Sequence, residues 1–241
     1  MKTSGHERDD TAEPGGSDVT PRLFLASRSP RRRQFLSDAG LRHNAEHPGI
    51  EDSELTPGDV SPREWVAALA YLKASAGAEV AREAGTGERT WVLGADTACV
   101  AGGALIGTPT DAAQARAMLR SFRDGEHEVV TGVALIELEA EGDESGVPRR
   151  RSLFASSARV RWGGVSDQQI EEYVASGGWN GKAGGYNLRE RVEAGWAITC
   201  EGDPTCVMGV PMQALQRKLA ILRGLWTAET ADSDSDAAVA S

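Results

Sequence analysis

Leu23-Phe24-Leu25-Ala26 is an apolar run of strand length that passes directly into Ser27-Arg28-Ser29-Pro30-Arg31-Arg32. Such a short run with polar flanks reads as a buried strand. Ser29 is suited to cap a helix and Pro30 to its first turn, where a missing N–H costs nothing. The junction therefore predicts a strand delivered straight into a helix. It also gathers hydroxyl and guanidinium groups at a positive helix end, an arrangement that favours a bound polyphosphate. A capped helix with surface arginines is an equally good reading of these residues alone.

The same alternation continues, which predicts an α/β fold. After the first strand and helix (roughly 22–40), a loop carries Ile50-Glu51-Asp52-Ser53. Ser61-Pro62-Arg63-Glu64 has the form of a capping box and opens a second helix, with Trp65, Leu69, Leu72 and Val80 as its apolar stripe. Thr90–Asp96 is the next strand, and 101–106 continues it as a Gly-turned hairpin. Thr110 or Asp111 caps a helix to about Phe122. Strands are predicted near 127–139 and 152–162, and Ser166-Asp167-Gln168-Gln169 opens a helix through Val174. The Gly-rich segment 177–185 reads as a loop. Trp196–Cys200 returns to strand, and Met212–Leu222 has helical apolar periodicity.

With 241 residues, the chain is long enough for one substantial core or two small lobes. Its net charge of -10 sits largely at the ends: residues 1–20 carry -3 and residues 227–241 carry -4, leaving -3 for 21–226. A nearly balanced body argues against a nucleic-acid grip built on bulk charge. Both ends have the composition of disordered tails, so the expected organisation is an N-terminal tail (1–20), one folded domain (21–226) and an acidic C-terminal tail (227–241). There is no signal-peptide core and no run of membrane-spanning length. Cys99, Cys200 and Cys206 have no CxxC spacing, which fits a reducing cytoplasm.

Val92-Leu93-Gly94-Ala95-Asp96-Thr97 places a carboxylate at the expected end of an apolar strand, where open α/β sheets bind ligands. It is also a common way to start a turn. Asp52 is a loop acid. Beside a phosphate, two carboxylates can hold a divalent metal, or one can activate water while the other steadies the ion. Lys73 lies beside the second helix's buried stripe, either snorkelling to solvent or pointing into a site. The four histidines do not cluster: His43 and His47 read as loop residues, and His127 as locally hydrogen-bonded. Trp179 and Trp196 suit core packing better than base stacking, and Arg149-Arg150-Arg151 a solvated hairpin base. No P-loop, GxSxG elbow or HExxH zinc motif is present.

Taken in order, these segments resemble the Maf family of nucleoside triphosphate pyrophosphatases from about Leu23 to Leu215. The resemblance is carried by Leu25-Ala26-Ser27-Arg28-Ser29-Pro30-Arg31-Arg32, Leu69-Ala70 with Lys73-Ala74, Gly94-Ala95-Asp96-Thr97, and His127 with Val129 and Thr131-Gly132. It continues through Tyr173-Val174, Lys182-Ala183-Gly184-Gly185-Tyr186 and Val207-Met208-Gly209-Val210-Pro211. It implies an α/β fold like that of inosine triphosphate pyrophosphatases: an elongated twisted mixed sheet flanked by helices, with a cleft between two lobes. It also implies hydrolysis of a nucleoside triphosphate to monophosphate and pyrophosphate, with Mg2+ or Mn2+, in a cytoplasmic homodimer that engages neither nucleic acid nor membrane. By position, Ser27, Arg31 and Arg32 would hold phosphates, Lys73 would add charge, Asp96 would be the general base, and Asp52 and Asp96 would face the metal.

Three departures stand out. Gly107-Thr108-Pro109 replaces the family's usual Gly-Lys-Pro, Arg189 stands where many members have Gln, and Asp52 replaces a commoner Glu. Thr108 and Arg189 are therefore candidate substrate contacts, with Arg189 expected to supply the charge lost at Thr108. Gly94-Ala95-Asp96-Thr97 resembles members acting on dTTP and UTP, whereas Glu201-Gly202-Asp203-Pro204-Thr205 resembles the 7-methyl-GTP type. The rival reading is a nucleotide-binding regulator with weak or lost hydrolysis.

Overall fold

The computed structural model describes residues 22–50, 55–85, 89–139 and 150–224. Both expected tails (1–20 and 227–241), Asp52 and Arg149 lie outside the described residues. The elements are β1 (Arg22–Ala26), α1 (Pro30–Asp38), β2 (His43–Glu46), α2 (Pro62–Glu83), β3 (Thr90–Ala101), β4 (Ala104–Ile106), α3 (Ala112–Phe122), β5 (Glu126–Leu138) and β6 (Arg151–Trp162). They continue with α4 (Asp167–Ala175), α5 (Leu188–Glu193), β7 (Ile198–Glu201) and α6 (Pro204–Val207). A final helix, α7, covers residues 212–224.

The fold is α/β. The seven described strands form one mixed sheet in the order β2-β1-β3-β5-β6-β7, with β4 paired to the far end of β3. β1 lies parallel to β2 and β3, and the other pairings are antiparallel. Same-face residues at different points along one strand reach different cores. On one face, Trp91, Leu93 and Ala95 of β3 and Val133 and Leu135 of β5 pack with Leu36 of α1 and Leu215 and Leu219 of α7. Farther along the same two strands, Cys99 and Val129 join a second core with Phe122, Trp162, Tyr173 and Trp196. Between these cores stand two threonines, Thr97 and Thr131, directly opposite each other in the register. The sheet thus has two lobes on one face, and the cleft opens at this polar seam.

The other face carries α2, which approaches the sheet closely. A Cβ at Gly94 would overlap the Ala70 carbonyl, one at Gly132 the Val66 carbonyl, and one at Gly77 the Ala26 side chain. Close approach requires small residues. The buried side of α2 is accordingly Val66, Leu69, Ala70, Ala74, Gly77, Ala78 and Ala81, while Leu72 is 38% exposed and Trp65 and Val80 are half-buried. The expected stripe of large residues is corrected in this way: bulky side chains would hold the helix off the strands.

Other expectations are met locally. Ser29, Ser61, Asp111 and Ser166 cap α1, α2, α3 and α4, and Ser61 and Ser166 form full capping boxes. Three readings change. β3 runs on for five residues beyond Asp96 because its antiparallel partner β5 continues alongside. His43 lies in edge strand β2 with Nδ1 against the Leu41 carbonyl, rather than in a loop. The short α5 and α6, which have too few residues for a periodic signal, were not anticipated.

Candidate active site

β1 pairs with β3 only as far as Leu25 opposite Leu93, so the edge of β3 is uncovered from Gly94 until β4 joins at Cys99. Asp96 lies on this open edge. A cleft of about 540 Å3 occupies the space and is lined by Arg28–Arg32 of the β1–α1 junction, Asp96, Thr97, Thr108 and residues 180–183 and 207–209.

Asp96 is fixed from the α2 side. Lys73 donates from Nζ to Asp96 Oδ1 at 2.6 Å, both side chains being largely buried. The close seating of α2 over Gly94 brings this lysine within reach. The Lys73 ammonium is turned to Asp96 instead of to solvent. Thr97 is held by a second network: its hydroxyl meets Thr131 Oγ1 at 2.8 Å, and Thr131 donates to the Cys206 carbonyl at 2.7 Å.

The arginine wall is equally organised. Ser27 accepts the Ser29 N–H at 3.1 Å and Arg32 Nη1 at 3.2 Å. Arg32 also donates from Nε to the Gly209 carbonyl at 3.0 Å. Gly209 has φ of +110°, a conformation that favours glycine. Its turn is braced by Asp203, which accepts from Thr205 N–H and Gln213 N–H. Ser27 is 7% exposed and stands behind the cleft lining, where its hydroxyl anchors Arg32.

The opposite wall comes from the segment that reads as a glycine loop. Gly184 donates to the Gly107 carbonyl at 3.0 Å and has φ of +68°, which seats the segment beside Thr108. Tyr186, also on the cleft, is bound through its hydroxyl to buried His127 Nε2 at 2.7 Å. His127 stacks on Phe122, and burial lowers its pKa to about 4. Burial also raises the Cys99 thiol to about 12, which leaves it a poor nucleophile although it lines the cleft.

Of the sequence candidates, Arg31, Arg32, Asp96 and Thr108 meet in the cleft, with Ser27 and Lys73 directly behind it. Arg189 does not join them. It is exposed on α5 with Nε 3.7 Å from Glu193, because the helix turns it outward, and Lys182 takes the cleft position instead. Sequence reasoning missed Lys182 as a site residue, although the Lys182-Ala183-Gly184-Gly185-Tyr186 motif contained the signal. Trp179 and Trp196 are buried in the second core, as their packing reading had it. Arg150 approaches Glu137 and Arg151 lies over Tyr71, a structural use of the basic run.

Among the described residues, no group of three or more His, Cys, Asp or Glu side chains is arranged to hold a metal, and Asp96 is the only acid lining the cleft. A single carboxylate on a cleft lined by arginines is compatible with Mg2+, an ion that keeps several waters and is commonly held by one or two carboxylates together with substrate phosphates. No helix among the described residues is long and apolar enough to cross a membrane.

A family model described as "Maf-like protein" matches residues 22–222. A protein from Pelotomaculum thermopropionicum named dTTP/UTP pyrophosphatase is 35% identical over 193 residues, covering 80% of this chain and 92% of the relative. Another of that name from Salinibacter ruber is 36% identical over 197 residues, covering 82% of this chain and 89% of its own. A crystal structure of a nucleoside-triphosphatase (dITP/XTP pyrophosphatase) from Mycobacterium abscessus overlaps 85% of this chain and 97% of its own, with 16% identity and a TM-score of 0.33.

Proposed function

The chain belongs to the Maf-like family, and from that premise we propose that it hydrolyses a nucleoside triphosphate to the monophosphate and pyrophosphate. The observation that carries the reading is the Lys73–Asp96 pair at 2.6 Å on the open edge of β3, facing the arginine wall of one cleft. Pyrimidine nucleotides, dTTP or UTP, are the preferred substrates in this reading, in keeping with the names of the relatives.

Arg31 and Arg32 receive the polyphosphate. Guanidinium groups suit phosphate geometry and stay charged at every working pH. Ser27 and the Gly209 carbonyl hold Arg32 in one orientation, so little ordering remains for the moment of binding. Asp96 orients the attacking water and accepts its proton as the water attacks the α-phosphorus. Lys73 keeps the carboxylate aimed. As pyrophosphate departs, negative charge on the phosphoryl oxygens meets the fixed cations of the cleft walls. Asp96, with Asp52 as a further acid, would hold a divalent cation. When bound, that cation supplies charge neutralisation and a more acidic water.

The homodimer and the cytoplasmic setting belong to the same proposal. The three free cysteines suit a reducing compartment. The deciding experiment is pyrophosphate release from a panel of common and modified triphosphates with Mg2+ or Mn2+, beside Asp96→Asn. Release abolished by that variant, with binding retained, is the expected result. A panel without release, from protein that still binds nucleotide, would establish the regulator instead.

A further inference from the structure

The two cleft walls belong to different cores. Arg31 and Arg32 ride on α1, whose Leu36 packs with the first, whereas Ala183 packs against the second. Lys182, next to Ala183, lines the cleft with its side chain only 14% exposed. Its Nζ lies 2.7 Å from Glu190 Oε2. Glu190 is not a lining residue. Its other carboxylate oxygen accepts from Asn187 Nδ2 at 2.9 Å, and its N–H is capped by Asn187 Oδ1. The acid is thus fixed from behind, and the lysine stands between it and the cleft. Beside this lysine, Thr108 offers a hydroxyl but no charge.

We propose that Lys182 grips the polyphosphate from the wall opposite α1, exchanging Glu190 for phosphate oxygens when the nucleotide enters. This rests on the reading of the cleft as a triphosphate site. An ammonium has three donors and no acceptor, so a lysine released from its carboxylate can meet several phosphate oxygens at once. Glu190 is substantially exposed, and pairs of that kind are weak enough for a highly charged anion to displace them. In the free protein Glu190 parks the lysine at the rim. With substrate bound, cations from both lobes close on one anion.

The test is calorimetric binding of inorganic tripolyphosphate to the full chain at fixed Mg2+, comparing the parent with Lys182→Gln, Lys182→Arg and Glu190→Gln. Lys182→Gln is expected to weaken binding by about tenfold, the scale of one lost charge-assisted contact. Lys182→Arg should stay close to the parent, and Glu190→Gln should bind a few-fold tighter because a competing charge is gone. Melting curves matched to the parent exclude loss of fold. Unchanged binding in Lys182→Gln, or weakening by Glu190→Gln, overturns the proposal. The probe carries no base and is not cleaved to yield the signal. Lys182-dependent binding by a protein that releases no pyrophosphate from any nucleotide would therefore sustain this proposal while overturning the enzyme reading.

Discussion

Arg32 and Gly209, 177 positions apart, are joined by a 3.0 Å hydrogen bond from the guanidinium Nε to the backbone carbonyl. This bond ties α1 to the turn that precedes α7, and it fixes the direction of a cleft-facing cation. A Cβ at position 209 would sit 3.1 Å from that Nε, on a backbone with φ of +110°.

Gly209→Ala is accordingly expected to act on the cleft as well as on stability. The strained backbone costs about 1–3 kcal/mol. The displaced guanidinium should lower kcat/KM by roughly tenfold or more, the scale of a charged hydrogen bond. Thermal melting and steady-state pyrophosphate release measure the two effects separately. Full activity in Gly209→Ala would show that the orientation of Arg32 does not matter.

Gly132→Ala and Gly94→Ala should destabilise through α2. Each new methyl group overlaps a helix carbonyl, that of Val66 or Ala70 respectively, and backbone cannot step aside as a side chain can. Overpacking of this kind costs about 1–3 kcal/mol or more, several degrees in melting temperature for a chain of this size. Because Gly94 faces the turns of α2 that flank Lys73, Gly94→Ala should also lower kcat by lengthening the Lys73–Asp96 contact.

Stability should fall with acid through His127. Its folded pKa of about 4 lies below the ordinary 6.5 because burial disfavours the imidazolium. Above the ordinary value both states are neutral and the residue contributes no slope. Between 6.5 and 4 the unfolded chain takes up a proton that the folded chain refuses, so stability drops as pH falls, by up to about 3 kcal/mol. Urea unfolding at a series of pH values should show a steeper acid loss in the parent than in His127→Gln. Equal slopes would mean that His127 titrates normally.

Thiol labelling should follow burial and not proximity to the cleft. Burial raises Cys99 to about 12 and Cys206 to about 11, while Cys200 is only partly covered. Iodoacetamide at neutral pH is expected to modify Cys200 first, read by peptide mass spectrometry. Prior modification of Cys99 would mean that the cleft floor opens in solution.

Much of this is written locally in the chain. The β1–α1 junction, both capping boxes and the Asp111 cap are legible because a cap needs only its own turn. Asp96 was legible as a site residue, but not its place in mid-strand: the open edge exists because β1 ends early, a property of a strand some seventy residues away. The α2 stripe was misread because Leu72 and Trp65 look more apolar than Ala70 or Gly77, and only the glycines of the facing strands reveal that small residues are required. Arg189 and Lys182 exchanged expectations for a related reason. A six-residue helix gives no periodic signal to say which way a side chain turns, and a run of glycines hides the fixed geometry that its positive φ angles impose.

β3 spans 12 residues, β5 13 and β6 12, and β3 and β5 pass without interruption from one core into the other. Two lobes that share continuous strands are joined by hydrogen-bonded sheet instead of by a loop. The spacing of the cleft walls therefore follows the twist of that hydrogen-bonded ribbon. The shared sheet is thus the gauge on which the width of the opening is drawn.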